Sequence, residues 1–173
     1  MALIHSFAPV ADIDAQVLIL GTMPGPRSLA LGEYYAHPGN TFWRIMGELF
    51  GFDPASPYAS RVCALGSARV AVWDVLRSCV REGALDANIL GAGLVANDFR
   101  EFFQCHTRIH SVYFNGSTAE ALYRRYVLPQ LGATPLACLR LPSTSPAHAS
   151  ASYERKLQAW RVVGQGAAGR KPI

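Results

Sequence analysis

A chain of 173 residues, half of them apolar, can bury one sizeable core and is short for two. Its formal charge of +4 favours an anionic partner without saying which. No apolar run approaches the roughly 20 residues of a membrane span, and MALIHSFAPV lacks the basic and long apolar regions of a secretory leader, so a cytoplasmic setting is expected.

The apolar run VLIL at 17–20 reads as a buried parallel strand, and a Gly- and Pro-rich loop, GTMPGPRSLALGEYYAHPGN, follows it. Phe42, Ile45, Met46 and Leu49 then recur at helical spacing, with Asn40 or Thr41 as N-cap and Gly51 just past the end. Ser56-Pro57 opens a second helix carrying Tyr58, Val62 and Leu65, which Gly66 stops. VAVW at 70–73 is the next strand; Asn97 and Asp98 start a helix bearing Phe99, Phe102 and Phe103. After the strand VYF at 112–114, Ser117 and Glu120 form a capping box for a helix that turns Leu122, Tyr126 and Val127 inward. LACLRL at 136–141 is the fourth strand, and Ser152 begins a last helix with Tyr153, Leu157 and Trp160 on its apolar stripe. The segment 164–173, GQGAAGRKPI, has turn residues without periodicity and is expected to be a flexible tail behind a single domain over 1–163.

Strand and helix alternating in this way imply a three-layer α/β/α fold around a central four-stranded parallel sheet. In such sheets ligands bind outside the carboxyl ends of the strands. The unusual sequence lies there: the Gly/Pro loop after the first strand, Asp74 after the second, Asn115-Gly116 after the third and PSTSPAHAS after the fourth. Four distant segments should therefore meet on one rim.

The first loop contains no GxxxxGK[ST] and no GxGxxG, which disfavours a nucleoside triphosphate or dinucleotide. Cys63, Cys79, Cys105 and Cys138 include no CxxC pair, and Cys105, His106 and His110 run from a helix end into a strand, so neither a metal nor another cofactor is expected. Tyr34, Tyr35, His37 and Asn40 offer aromatic faces, an imidazole and an amide suited to a planar heterocycle. The same residues also suit a plainer role, with the tyrosines as packing aromatics and Asn40 as a helix cap. PSTSPAHAS can grip phosphate oxygens through hydroxyls and backbone N–H groups, or be a mobile Ser-rich loop; Asp74 can be a cap at its strand end.

The ordered set GTMPG (21–25), GEYYAHPGNTFW (32–43), WDVLRSCVREGALDANI (73–89), FNG (114–116) and LPSTSPAHAS (141–150) resembles the uracil-DNA glycosylase superfamily, and within it the deoxyinosine, or hypoxanthine-DNA, glycosylase branch. The resemblance runs from about residue 5 to residue 163. It implies a DNA repair enzyme that flips a deaminated base out of the duplex and hydrolyses its N-glycosidic bond. Mismatch-specific uracil relatives carry a water-positioning Asn where this chain has Met23, and a thioether does not orient water in that way. In the deoxyinosine branch the catalytic residue matches Asn40. The implied base-binding set is Tyr35, Asn115, Gly21 and Met23, and the implied phosphate ligands are Ser28, Ser143 and Ser145. Gly39 stands where that branch commonly has Arg.

No Lys lies within these motifs, which favours a monofunctional hydrolase over a Schiff-base lyase. The expected partner is DNA containing a deaminated base, with hypoxanthine first, and the expected state is a monomer. Alternatives are a uracil or G:U mismatch glycosylase and a catalytically inactive damage-binding module; a Cys-dependent hydrolase is disfavoured by the scattered cysteines.

Overall fold

A computed structural model describes residues 3–83, 89–132 and 136–169. The described strands are β1 (Leu3–His5), β2 (Val17–Gly21), β3 (Val70–Asp74), β4 (Leu76–Arg81), β5 (Ile89–Ala96), β6 (Ser111–Asn115) and β7 (Ala137–Leu141). Four of them form the expected parallel sheet in the order β3-β2-β6-β7. β2 and β3 are buried along their whole length, which is what their continuous apolar runs require.

The helices are α1 (Pro26–Leu31), α2 (Phe42–Phe50), α3 (Tyr58–Ser67), α4 (Phe99–Cys105), α5 (Ser117–Leu122), α6 (Leu128–Leu131) and α7 (Tyr153–Ala167). Successive residues of a strand point to opposite faces, so β6 reports what covers each side of the sheet. The Tyr113 hydroxyl donates to the Val162 carbonyl of α7 at 3.2 Å, whereas Phe114 packs on Tyr123, which in turn meets Phe99 of α4 edge-on. Helices therefore cover both faces. Among the described residues, no helix is long and apolar enough to cross a membrane.

Several local expectations are revised. A second sheet, antiparallel and ordered β1-β4-β5, was not foreseen in the stretch after β3. Its pairing shifts register between Leu76 and Ser78 and again between Ser78 and Val80, which erases the simple alternation that would reveal a strand. The short helix α1 lies inside the first loop, begun by Pro26 and closed by Gly32 at φ +67. α3 continues one residue past Gly66.

The capping box at Ser117 is not formed: Gly116, at φ +99, is the N-cap and Ser117 is already helical. That helix passes through a π-helical turn at Tyr123–Val127 before α6. By contrast, Asp98 accepts from Glu101 N at 3.0 Å and Ser152 from Arg155 N at 3.3 Å, two caps read correctly.

The supposed tail is helical as far as Ala167, with Gly166 and Ala167 buried; residues 170–173 lie outside the described chain. A Cβ on Gly166 would stand 2.5 Å from the Tyr113 hydroxyl and 2.9 Å from Val17 Cγ1. Close backbone approach of α7 to the sheet thus depends on that glycine. Gly166→Val should destabilise the fold by about 1–3 kcal/mol through overpacking, measured by urea unfolding, whereas a frayed tail would tolerate it.

Candidate active site

Parallel strands end together, and this sheet delivers its functional loops to one rim. Gly21 pairs in register with Asp74, Leu20 with Phe114, and Asn115 with Leu141. A cleft of about 970 Å³ opens there; its lining includes Met23, Tyr35, Asn40, Asp74, Asn115 and Ser143.

Asn40 closes an Asx turn at the start of α2. Its Oδ1 accepts from Phe42 N at 3.0 Å, while its own N–H donates to the His37 carbonyl at 2.8 Å. Because the Phe42 partner is a donor, the oxygen of the amide must face it, and Nδ2 is the atom left for the cleft. Asn40 is therefore both a cap and a candidate donor, so the two readings are compatible.

The adjacent tyrosines separate. Tyr34 is core: its hydroxyl donates to the Ala8 carbonyl at 3.1 Å and its carbonyl accepts from Trp43 Nε1 at 2.8 Å. Burial, and secondarily the Asp74 charge, holds that hydroxyl far above the ordinary tyrosine range and un-ionised. Tyr35 instead has φ +56, an uncommon conformation for a bulky side chain, and its ring stacks on Phe42 with centroids 3.9 Å apart. The ring lines the cleft, stacked on Phe42 and tilted against Tyr34 with centroids 6.2 Å apart.

Asn115 spends its amide internally. Nδ2 donates to Thr144 Oγ1 at 2.9 Å and Oδ1 accepts from Thr144 N at 2.8 Å. The Thr144 carbonyl in turn accepts from Thr41 N at 3.0 Å and lies 3.3 Å from the Thr41 hydroxyl. One buried residue thereby joins the end of β6, the loop after β7 and the start of α2. From α7, Trp160 Nε1 donates to the Pro142 carbonyl and Lys156 Nζ to the His148 carbonyl, both at 2.9 Å, so the same loop is held at both ends. Burial lowers the pKa of that Lys156 ammonium.

Residues 8–163 match the sequence model of the Uracil DNA glycosylase superfamily. The chain belongs to this superfamily. Among its relatives, a Hypoxanthine DNA glycosylase of Methanosarcina acetivorans is 30% identical over 160 residues, spanning 92% of this chain and 96% of the relative. A Hypoxanthine DNA glycosylase of Methanosarcina barkeri is 38% identical over 113 residues, 65% of this chain and 70% of that one. The solution NMR structure of a Methanosarcina acetivorans protein described as a candidate uracil DNA glycosylase superposes with a TM-score of 0.81 at 29% identity, covering 96% of this chain and 99% of the other.

Within the superfamily fold, the residues singled out from sequence meet in one cleft. Gly21, Met23, Ser28, Tyr35, Asn40, Asn115, Ser143 and Ser145 all line it. Ser143 and Ser145 close successive hydroxyl turns by accepting from Ser145 N and Ala147 N, each at 3.2 Å, which shapes the loop while leaving each hydroxyl hydrogen to donate. Ser28 is buried and its Oγ accepts from Ala36 N at 3.1 Å, so its contact ties the first loop to itself. Asn115 is likewise a clamp.

Sequence reasoning named Thr41 only as a candidate helix cap and passed over Thr144, Lys156 and Arg81. Arg81 is buried on β4, and its Nη2 donates to the Pro24 carbonyl of the first loop at 2.7 Å. A charged residue within the motif that follows the second strand carries no signal of that reach; Thr144, within PSTSPAHAS, could have been suspected from its position alone. Residues 84–88 of the third motif lie outside the described chain.

Asn115→Ala would leave the Thr144 amide and hydroxyl without their partner in a buried setting. It should cost about 1–3 kcal/mol in urea melts and broaden NMR signals from 143–148, whereas Asn115→Ala with unaltered stability would remove the clamp assignment.

Proposed function

We propose that this protein is a monofunctional DNA N-glycosylase that removes hypoxanthine from DNA and leaves an abasic site. The observation that carries the reading is the pairing, in one cleft, of a strained, stacked Tyr35 with an Asn40 amide whose Nδ2 is the outward donor. Strained backbone in a binding cleft points to a constraint other than packing. The two Methanosarcina relatives, both named hypoxanthine DNA glycosylases, supply the choice of base.

In the proposed reaction Tyr35 stacks on the flipped base, and Ser143 and Ser145 contact neighbouring phosphates from their shaped loop. The C1′–N bond breaks with its electron pair leaving on the base. Water then adds at C1′, and its proton passes to solvent or to the departing base. A donor aimed at developing negative charge lowers that barrier, and Asn40 Nδ2 fits this task better than proton abstraction, because an amide N–H group accepts nothing. Met23 is 6% exposed and packs in the core, which supports a lining role for its thioether rather than a chemical one.

Single-turnover assays on duplexes with deoxyinosine or deoxyuridine in one sequence context test the reading. Hypoxanthine should leave faster; faster uracil release would move the protein to the uracil-acting alternative, and no release of either would support a damage-binding module. Asn40→Asp keeps the acceptor that caps α2 and removes the outward donor, so it should lower the rate about 100- to 1000-fold with little loss of stability. Met23→Leu should retain most activity because it conserves volume and polarity.

A further inference from the structure

A groove of about 660 Å³ lies at the amino ends of β2 and β3, the opposite end of the sheet from the cleft. The last turns of α2, α3 and α7 frame it. Leu49, Phe50 and Ala168 give it apolar surface, and Arg69, Arg161 and Gly164 also line it.

Two of these residues are not the ones the fold asks for. α3 and α7 end in the same way: Ala68 N donates to the Ala64 carbonyl and Arg69 N to that of Gly66, just as Ala168 N donates to the Gly164 carbonyl and Gly169 N to that of Gly166. The final residue of each set is left-handed, at φ +60 for Arg69 and +79 for Gly169. Glycine takes that conformation freely and also closes α1 at Gly32 and α2 at Gly51, whereas a residue with a Cβ is strained there. The Arg69 carbonyl accepts from Gln16 N and Val17 N, but those bonds belong to the backbone and glycine would supply them equally. Nor does the dipole of α3 call for Arg69, since a cation at Ser67 or Ala68 would serve it without left-handed backbone. Gly164 is the converse case. It lies inside α7, where alanine is favoured over glycine, and a Cβ built on it meets nothing within 4 Å.

Single residues short of the stability optimum are common in any chain. Here two share one groove, the first adding a cation to it and the second baring helix backbone. Arg44, Arg61, Arg108, Arg124 and Arg140 each meet a carboxylate, whereas Arg69 and Arg161, both exposed, meet none among the described residues.

We infer that this groove docks an acidic segment of a partner protein, with an apolar side chain against Leu49 and Phe50 and carboxylates on Arg69 and Arg161. Complementary charge selects the segment, and the bare backbone at Gly164 lets its main chain come close. Phosphates of DNA would answer the charge but not the apolar surface, and a duplex seated on the cleft occupies the other end of the strands. The groove and the cleft share no lining residue, so both can be filled at once, and the inference stands apart from what the cleft does to a base.

Stability is measured first, because it needs no partner. Arg69→Gly and Gly164→Ala should each raise Tm by about 2–4 °C in calorimetry, through relief of the left-handed strain and of the helical glycine. A variant that gains nothing shows its residue to be the one the fold prefers, and overturns the inference. The full chain is then titrated, by NMR, with octapeptides that carry one Leu or Phe among Asp and Glu. Signals of Phe50, Ala68, Gly164 and Ala168 should move. Arg69→Gly, Arg161→Gln, or Asn and Gln in place of the acidic residues of the peptide, should each weaken binding about 10-fold or more, the value of one charged hydrogen bond. No shift at the groove, or equal affinity in the variants, overturns the inference. So does a lesion-free duplex that moves the same signals and loses affinity in Arg161→Gln, which would put the groove on the path of DNA.

Discussion

Thr144 is the constraint on which the rest of the cleft depends. It is fully buried, and its amide, hydroxyl and carbonyl are all engaged, toward Asn115 on one side and Thr41 on the other. Loops at the end of a sheet are ordinarily its most mobile part, and a site assembled from them works only if the reacting groups are held to a fraction of an ångström. A buried residue that bonds its own loop to two other segments meets that need, because moving any one of the three alone orphans a polar group away from water. The anchors from α7 act in the same sense. Trp160 and Lys156 hold carbonyls at either end of the loop, and Lys156 accepts the cost of a partly desolvated ammonium to do so.

Strain is the other device. Tyr35 adopts its left-handed backbone immediately before Ala36, whose N–H is taken by buried Ser28, and just after Tyr34, whose carbonyl is taken by the Trp43 indole. These two bonds fix the chain on both sides of the unfavourable φ, so relaxing it would break buried hydrogen bonds. The energy stored is of the order of 1–3 kcal/mol. It is offset by stacking on Phe42 and by anchoring of Tyr34 in the core. Two neighbouring tyrosines, indistinguishable by type and both bordering the cleft, thereby differ in burial: Tyr34 belongs to the core and Tyr35 is half-buried.

The parallel sheet was legible because burial on both faces leaves a continuous apolar run, as in VLIL and VAVW, and because β-strands ending in parallel dictate where loops meet. The antiparallel sheet was not, since β4 mixes Arg77, exposed, with Arg81, buried, and its register shifts break the alternation that would mark it. Caps followed a similar division. Asp98 and Ser152 act locally and were readable, whereas Gly116 displaced Ser117 for a tertiary reason: a Cβ there would lie 3.1 Å from Ser143 Cβ. In the cleft, motif resemblance identified the lining residues but not how their polar atoms are shared. Whether Asn115 faces a base or Thr144, and whether Ser28 faces a phosphate or Ala36, depends on distances that no spacing rule contains. Asp74 is legible as a rim residue and as a possible strand-end cap, but its proximity to Gly21 arises only when two strands 53 positions apart are placed side by side (74 − 21).

The distribution of charge around the cleft fits a substrate that is charged outside and neutral within. Arg27 and Arg140 line the cleft as exposed residues, Arg140 sharing its guanidinium with Glu120 at 3.5 Å, while Asp74, also in the lining, is buried. Exposed guanidinium groups attract phosphates and a buried lining disfavours them, so in the proposed function the polyanionic backbone stays outside and the uncharged base enters. The same arrangement bears on the leaving group. In the proposed reaction, negative charge that develops on the base is met by a donor such as Asn40 Nδ2 or neutralised by protonation. A purine, with ring nitrogens able to take up a proton as the bond breaks, satisfies that demand more readily than a base that departs as a bare anion.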